Sequence, residues 1–224
     1  MRVVFIPGFT QTSASWAGVV AAIGAPAEPV LLEPDGTRTW AEAVAALARQ
    51  GGAGTWVGYS MGGRLALQVA LDFPNLVDHL VLVSTTAGFE DDTDRQQRAA
   101  QDEALAESIE SDGATKFMER WLAQPMFARV PGDAPGLKAR LDVSEALLAS
   151  TLRNLGTASM PNLWPRLHEL RMRVTIVSGI YDQKFSDIAD QLESSCASAR
   201  VRRVEFDAGH AVPLEIPSFL TSLL

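Results

Sequence analysis

Six short runs rich in β-branched residues recur along the chain, each separated from the next by a longer stretch with helical periodicity. The runs are "RVVFI" (2–6), "PVLLEP" (29–34), "TWVGY" (55–59), "HLVLVS" (79–84), "RVTIVS" (173–178) and "RRVEF" (202–206). Most are continuously apolar rather than alternating, the pattern of strands covered on both faces of a parallel sheet. Between them, residues 16–23, 39–49, 61–73, 186–195 and 213–224 read as helices. A doubly wound α/β sheet is the architecture that satisfies both patterns.

One segment breaks the alternation. Between residues 88 and 165 no convincing strand occurs, whereas 93–124 and 144–156 read as helices and four prolines punctuate the stretch. The expected division is a core of residues 1–87 and 166–224, with a helical cap, 88–165, inserted between strands. Residues 90–112 hold nine acidic side chains against Arg95 and Arg98, which reads as a solvated helix face.

Bulk properties narrow the function. With 224 residues and 47% apolar content the chain can bury one substantial core. A formal charge of -8 provides no basic footprint for nucleic acid or an anionic membrane. Cys196 is the single cysteine, so neither an internal disulfide nor a cysteine-based zinc site is expected. The first apolar run is too short for a signal-peptide core, and a cytoplasmic protein with no cofactor and no metal is expected.

The strand at 55–59 runs into "GYSMGG" (58–63) and then into a helix. G-x-S-x-G at a strand-to-helix turn is the context of a nucleophile elbow, where glycines permit a turn too tight for side chains and expose the serine oxygen. The helix N-terminus beneath favours developing negative charge. Ser60 is therefore the candidate nucleophile. Serine needs a base, and the base needs an orienting acid. Of the three histidines, His79 reads as a strand-boundary residue and His168 lies in a polar connection. His210, in "DAGHAVPLEIP" after the last strand, fits the base. Asp182 follows "RVTIVSGIY" at a strand end and completes the order Ser, Asp, His; Asp187 and Asp207 are less well placed rivals. Two amides would hold an oxyanion: Met61, after the nucleophile, and Phe9, in the "PGF" loop after the first strand.

These residues together resemble the α/β-hydrolase superfamily across essentially the whole chain, which opens at what would be the family's third strand. Within it, "GYSMGGRLAL", the segment from "AGFEDDTDRQQR" to "ERWLAQPMF", "GIYDQKF" and "AGHAVPLEIP" resemble the 2-succinyl-6-hydroxy-2,4-cyclohexadiene-1-carboxylate synthases of the menaquinone pathway, which expel pyruvate from their substrate. The resemblance implies an α/β-hydrolase fold with a mostly parallel sheet, helices on both faces and a helical cap. It also implies substrate contacts from Tyr59, Arg64, Arg98 and Trp121, with Arg140 as the match to a third family arginine. Arginine forks suit a polycarboxylate, since each can hold a carboxylate by two hydrogen bonds. Arg95, three residues before Arg98, reads instead as pairing with its acidic neighbours. The expected partner is a small carboxylate-bearing molecule, with homodimerisation left open. The alternative is a carboxylesterase, thioesterase or carbon-carbon bond hydrolase on a small metabolite, for which cations near the serine would have no use. A non-catalytic ligand-sensing module would be expected to have lost a triad member.

Overall fold

The computed structural model describes residues 1–196 and 200–224. Six strands, β1 (Arg2–Ile6), β2 (Glu28–Leu31), β3 (Gly54–Tyr59), β4 (Val77–Val83), β5 (Arg173–Gly179) and β6 (Val201–Phe206), form one sheet. Its order is β2-β1-β3-β4-β5-β6, with every pairing parallel.

Side-chain alternation along these strands builds two apolar layers, because neighbouring residues face opposite sides of the sheet. Val4, Ile6, Trp56, Leu80, Leu82 and Ile176 pack with α2 (Trp40–Gly51), α3 (Met61–Asp72) and α8 (Gln183–Ser195). Val3, Phe5, Val57, Val81, Val83 and Val177 pack on the other face, with α1 (Ala17–Ile23) and the C-terminal turns. All twelve of these strand residues are at most 2% exposed, and each such burial contributes about 1.5–3 kcal/mol.

Among the described residues, the stretch between β4 and β5 contains helices and turns without a strand. It comprises α4 (Asp92–Asp112), α5 (Ala114–Leu122), the single turn α6 (Leu137–Arg140) and α7 (Glu145–Leu155). Ala106, Ile109, Phe117, Met118, Leu148 and Leu152 give it a small apolar cluster of its own, which meets the rest of the protein at Phe9.

Three expectations are corrected. The helix expected over 93–124 is two helices, because Gly113 adopts φ +89°, outside the helical range. The last helix is instead a single turn, α9 (Val212–Glu215), and a 3-10 turn (Pro217–Ser222), since Pro217 cannot continue an α-helical ladder. His79 is not a boundary residue but sits inside β4, 2% exposed, with Nε2 2.8 Å from Thr175 Oγ1 and Nδ1 2.8 Å from Arg173 Nη2.

Candidate active site

Strand order reverses direction at β1, with β2 on one side and β3 on the other. The loops leaving the carboxyl ends of β1 and β3 therefore diverge around a crevice, the usual ligand position in an open parallel sheet. Ser60 follows β3 directly and adopts φ +51°, ψ -109°, a conformation costly for a residue with a side chain. Its surroundings enforce it. The Ser60 amide donates to the Val83 carbonyl at 2.9 Å, and the Thr85 hydroxyl donates to the Ser60 carbonyl at 2.7 Å.

The glycines are required sterically. A Cβ on Gly58 would lie 2.4 Å from the Gly62 carbonyl oxygen, and one on Gly62 would lie 2.1 Å from that of Ile6. The second approach also brings the loop after β1 against the elbow, so that Phe9 and Met61 line the same cavity beside Ser60. Met61 is the first residue of α3, and its amide has no intrahelical acceptor.

Asp182 follows the end of β5 and occupies the N-cap position of α8, but its side chain does not cap the helix. Its Oδ2 instead lies 2.6 Å from His210 Nδ1, and His210 Nε2 lies 3.4 Å from Ser60 Oγ. With Nδ1–H donated to the carboxylate, Nε2 faces the serine as an acceptor. His210 is 3% exposed and is packed by the rings of Tyr59, Phe127 and Phe185, at centroid separations of 5.4, 6.2 and 4.6 Å. The rivals are engaged elsewhere: Asp187 accepts from Gln183, and Asp207 pairs with Arg129. His168 is exposed, in a 3-10 turn.

These residues open onto a cavity of about 340 Å³ between the sheet and the helical segment. Arg64, Arg98 and Lys184 line it, against a single carboxylate, Asp102. Arg64 is 7% exposed and donates to the Leu155 carbonyl at 3.1 Å. Burial first, then the Arg98 charge, pull its guanidinium down to about 9, with Asp102 opposing; it remains a cation at neutral pH. Arg98 Nε donates to Asp102 Oδ1 at 2.7 Å, which leaves its two terminal nitrogens for other acceptors. Tyr59 and Trp121 also line the cavity. Burial, the larger influence, together with the nearby Asp182 and Glu215 carboxylates, holds the Tyr59 phenol well above its usual range, against the opposing charge of Arg140. The Trp121 indole N–H has no partner among the described residues.

The chain belongs to the alpha/beta hydrolase family. A model of that family, described as "Alpha/beta hydrolase family", matches residues 3–219. Among curated proteins, a Bacillus subtilis protein provisionally named 2-succinyl-6-hydroxy-2,4-cyclohexadiene-1-carboxylate synthase is 36% identical over 180 residues, 75% of this chain and 65% of that protein. The protein PHYLLO of Arabidopsis thaliana is 31% identical over 185 residues, covering 73% of this chain and 10% of its own length. The chain thus spans about two thirds of the first relative and a tenth of the second. Among solved structures, MenH from S. aureus superposes with a TM-score of 0.89 at 25% identity, covering 100% of this chain and 91% of that one. The alpha/beta hydrolase fold expected from the sequence is the fold observed.

Two arginines depart from expectation. Arg140 is 1% exposed and is not among the cavity-lining residues; none of its three nitrogens has a partner among the described residues. Arg95 does not pair with an acidic neighbour but donates to the Phe89 carbonyl at 3.4 Å. Asp102 also departs from the solvated acidic face expected of residues 90–112: it is 5% exposed, at the cavity wall. Its i, i+4 spacing from Arg98 was the available signal. Thr85, Lys184 and Phe185 carried no comparable signal.

Proposed function

We propose that this chain is a serine-triad enzyme acting as a 2-succinyl-6-hydroxy-2,4-cyclohexadiene-1-carboxylate synthase-like lyase, which eliminates pyruvate from a polycarboxylate. The observation that carries the reading is the excess of basic side chains in the cavity beside Ser60: Arg64, Arg98 and Lys184 against one carboxylate, in a chain whose formal charge is -8. Such a wall favours a substrate with several anionic groups, because buried carboxylates need partners. The names of the relatives described above point the same way.

In this reading His210 takes the Ser60 hydroxyl proton, and Asp182 stabilises the imidazolium that results. The serine oxygen then removes a proton from the substrate, and pyruvate leaves. Arg64 and Arg98 hold carboxylates, while Tyr59 and the free Trp121 N–H orient the ligand. The segment 88–165 serves as the cap that closes the cavity. Arg140 joins the clamp as a buried cation without a partner, a costly state that a substrate carboxylate would relieve; reaching the cavity would require its turn to shift.

A second reading, hydrolysis of an ester or thioester, assigns the Phe9 and Met61 amides to an oxyanion, since both residues line the cavity beside Ser60. A paired assay separates the two. Purified protein is given the menaquinone-pathway intermediate, with pyruvate followed by a coupled dehydrogenase, and separately a short-chain nitrophenyl ester. Fast pyruvate release with slow ester turnover supports the lyase. Ester turnover without pyruvate release overturns it in favour of the hydrolase.

A further inference from the structure

His210 stands in a loop that one buried carboxylate grips from both sides. Glu215 Oε2 accepts the Gly209 N–H at 2.7 Å, and Oε1 accepts the Ala211 N–H at 3.2 Å. The two amides flank His210, so a single side chain orients both peptide planes that set the direction of the imidazole. The Glu215 side chain is 4% exposed, and burying a carboxylate is costly unless its hydrogen bonds are well used.

Its counter-charge comes from the helical segment. Arg129 Nε lies 3.6 Å from Glu215 Oε2, and Arg129 Nη2 lies 3.3 Å from Asp207 Oδ1. The same guanidinium stacks over the Tyr181 ring at 4.1 Å, and Tyr181 is the residue before Asp182. Arg129 thus touches both the loop that carries His210 and the one that carries Asp182.

We propose that Glu215 is a positioning residue for His210, with Arg129 as the cation that holds it in place. The inference rests on the reading of His210 as the base for Ser60. The geometry leaves little slack, because the 3.4 Å separation of His210 Nε2 from Ser60 Oγ is already near the outer limit of a hydrogen bond. Small displacements of catalytic groups cost large factors in rate.

The test uses a fluorophosphonate probe, which reports on Ser60 whatever the natural substrate. The Ser60 oxygen bonds to phosphorus, fluoride leaves, and the serine proton passes to His210. The maximal labelling rate and the probe's half-saturation concentration are measured for wild type, Glu215→Gln, Glu215→Ala, Arg129→Gln and His210→Ala. The imidazole Nδ1–H resonance is followed by proton NMR. Glutamine retains one acceptor and alanine none, so the maximal rate should fall about 10-fold and about 100-fold respectively, with half-saturation changed less than about twofold. The Nδ1–H resonance should broaden or vanish. Arg129 is about half exposed, so Arg129→Gln should fold even where Glu215→Ala does not, and should slow labelling several-fold.

Folded Glu215→Gln and Arg129→Gln proteins that label at the wild-type rate and keep the resonance would overturn the proposal. So would rate and half-saturation changing together, the mark of a generally loosened site. Failure of the underlying reading is separately visible, as a His210→Ala protein that labels as fast as wild type.

Discussion

Asp102 Oδ1 accepts the Nε–H of Arg98 at 2.7 Å from a position one helical turn further along α4. The pairing uses the one guanidinium nitrogen that a forked grip on a carboxylate does not need, and leaves the terminal pair free. Asp102 is 5% exposed, and Arg64 lines the same cavity. Replacing it with asparagine keeps the shape and removes the charge. Asp102→Asn should therefore raise KM for a carboxylate substrate by about 10-fold through a mobile Arg98, since a charged hydrogen bond is worth about 1.5–3 kcal/mol. Arg98→Ala should raise it further. Steady-state kinetics on both variants checks the order.

The elbow makes a sharper structural prediction. An alanine at Gly62 would place its Cβ 2.1 Å from the Ile6 carbonyl oxygen, a backbone atom that cannot step aside. Gly62→Ala should destabilise the protein by more than about 3 kcal/mol or abolish soluble expression. Gly132 has nothing within 4 Å of the corresponding position, and Gly132→Ala should shift the urea midpoint by no more than about 0.5 kcal/mol in equivalent stability. Urea titration of the pair tests the contrast.

Acid should destabilise the fold through His79. Burial, then the Arg173 and Arg202 charges, push this imidazole down to about 4 from its ordinary 6.5. Arginine can only donate, so Nδ1 accepts from Arg173 and Nε2–H donates to Thr175. A group whose folded value lies below its unfolded one binds protons more readily when unfolded. Its stabilisation is complete above about 6.5 and is lost as pH falls toward 4. Stability should drop by about 2 kcal/mol between pH 7 and pH 5 through this residue alone. His79→Gln should flatten that part of the curve, as measured by urea midpoints across the range.

What was legible in the sequence had short-range physical causes. Gly58 and Gly62 around Ser60 mark a turn that admits no side chains, and the apolar runs mark the four inner strands β1, β3, β4 and β5 as covered on both faces, whereas the edge strands β2 and β6 are half-buried or exposed. Asp182 and His210 were legible because each follows the carboxyl end of a strand, where a parallel sheet presents its functional side chains. What was not legible depends on how distant segments pack. Only its i, i+4 spacing from Arg98 separates Asp102 locally from the exposed acids around it on α4; α7 and the segment after it, down to Gly156, bury it. Arg140 is implied only by resemblance to a family arginine, and it is buried without being among the residues that line the cavity. Glu215 acts only because the chain folds back by one helical turn onto the amides beside His210. The break between α4 and α5 has a local mark, since Gly113 is the single glycine of residues 93–124.

The most direct measurement is pyruvate release from the menaquinone-pathway intermediate by wild-type and Ser60→Ala protein, each verified as folded by circular dichroism. Chemistry through Ser60 predicts a loss of at least about 10³-fold in kcat for the alanine variant, the scale seen when a triad nucleophile is removed. Pyruvate released at an undiminished rate by Ser60→Ala would contradict it, and would move the reacting group elsewhere in the cavity.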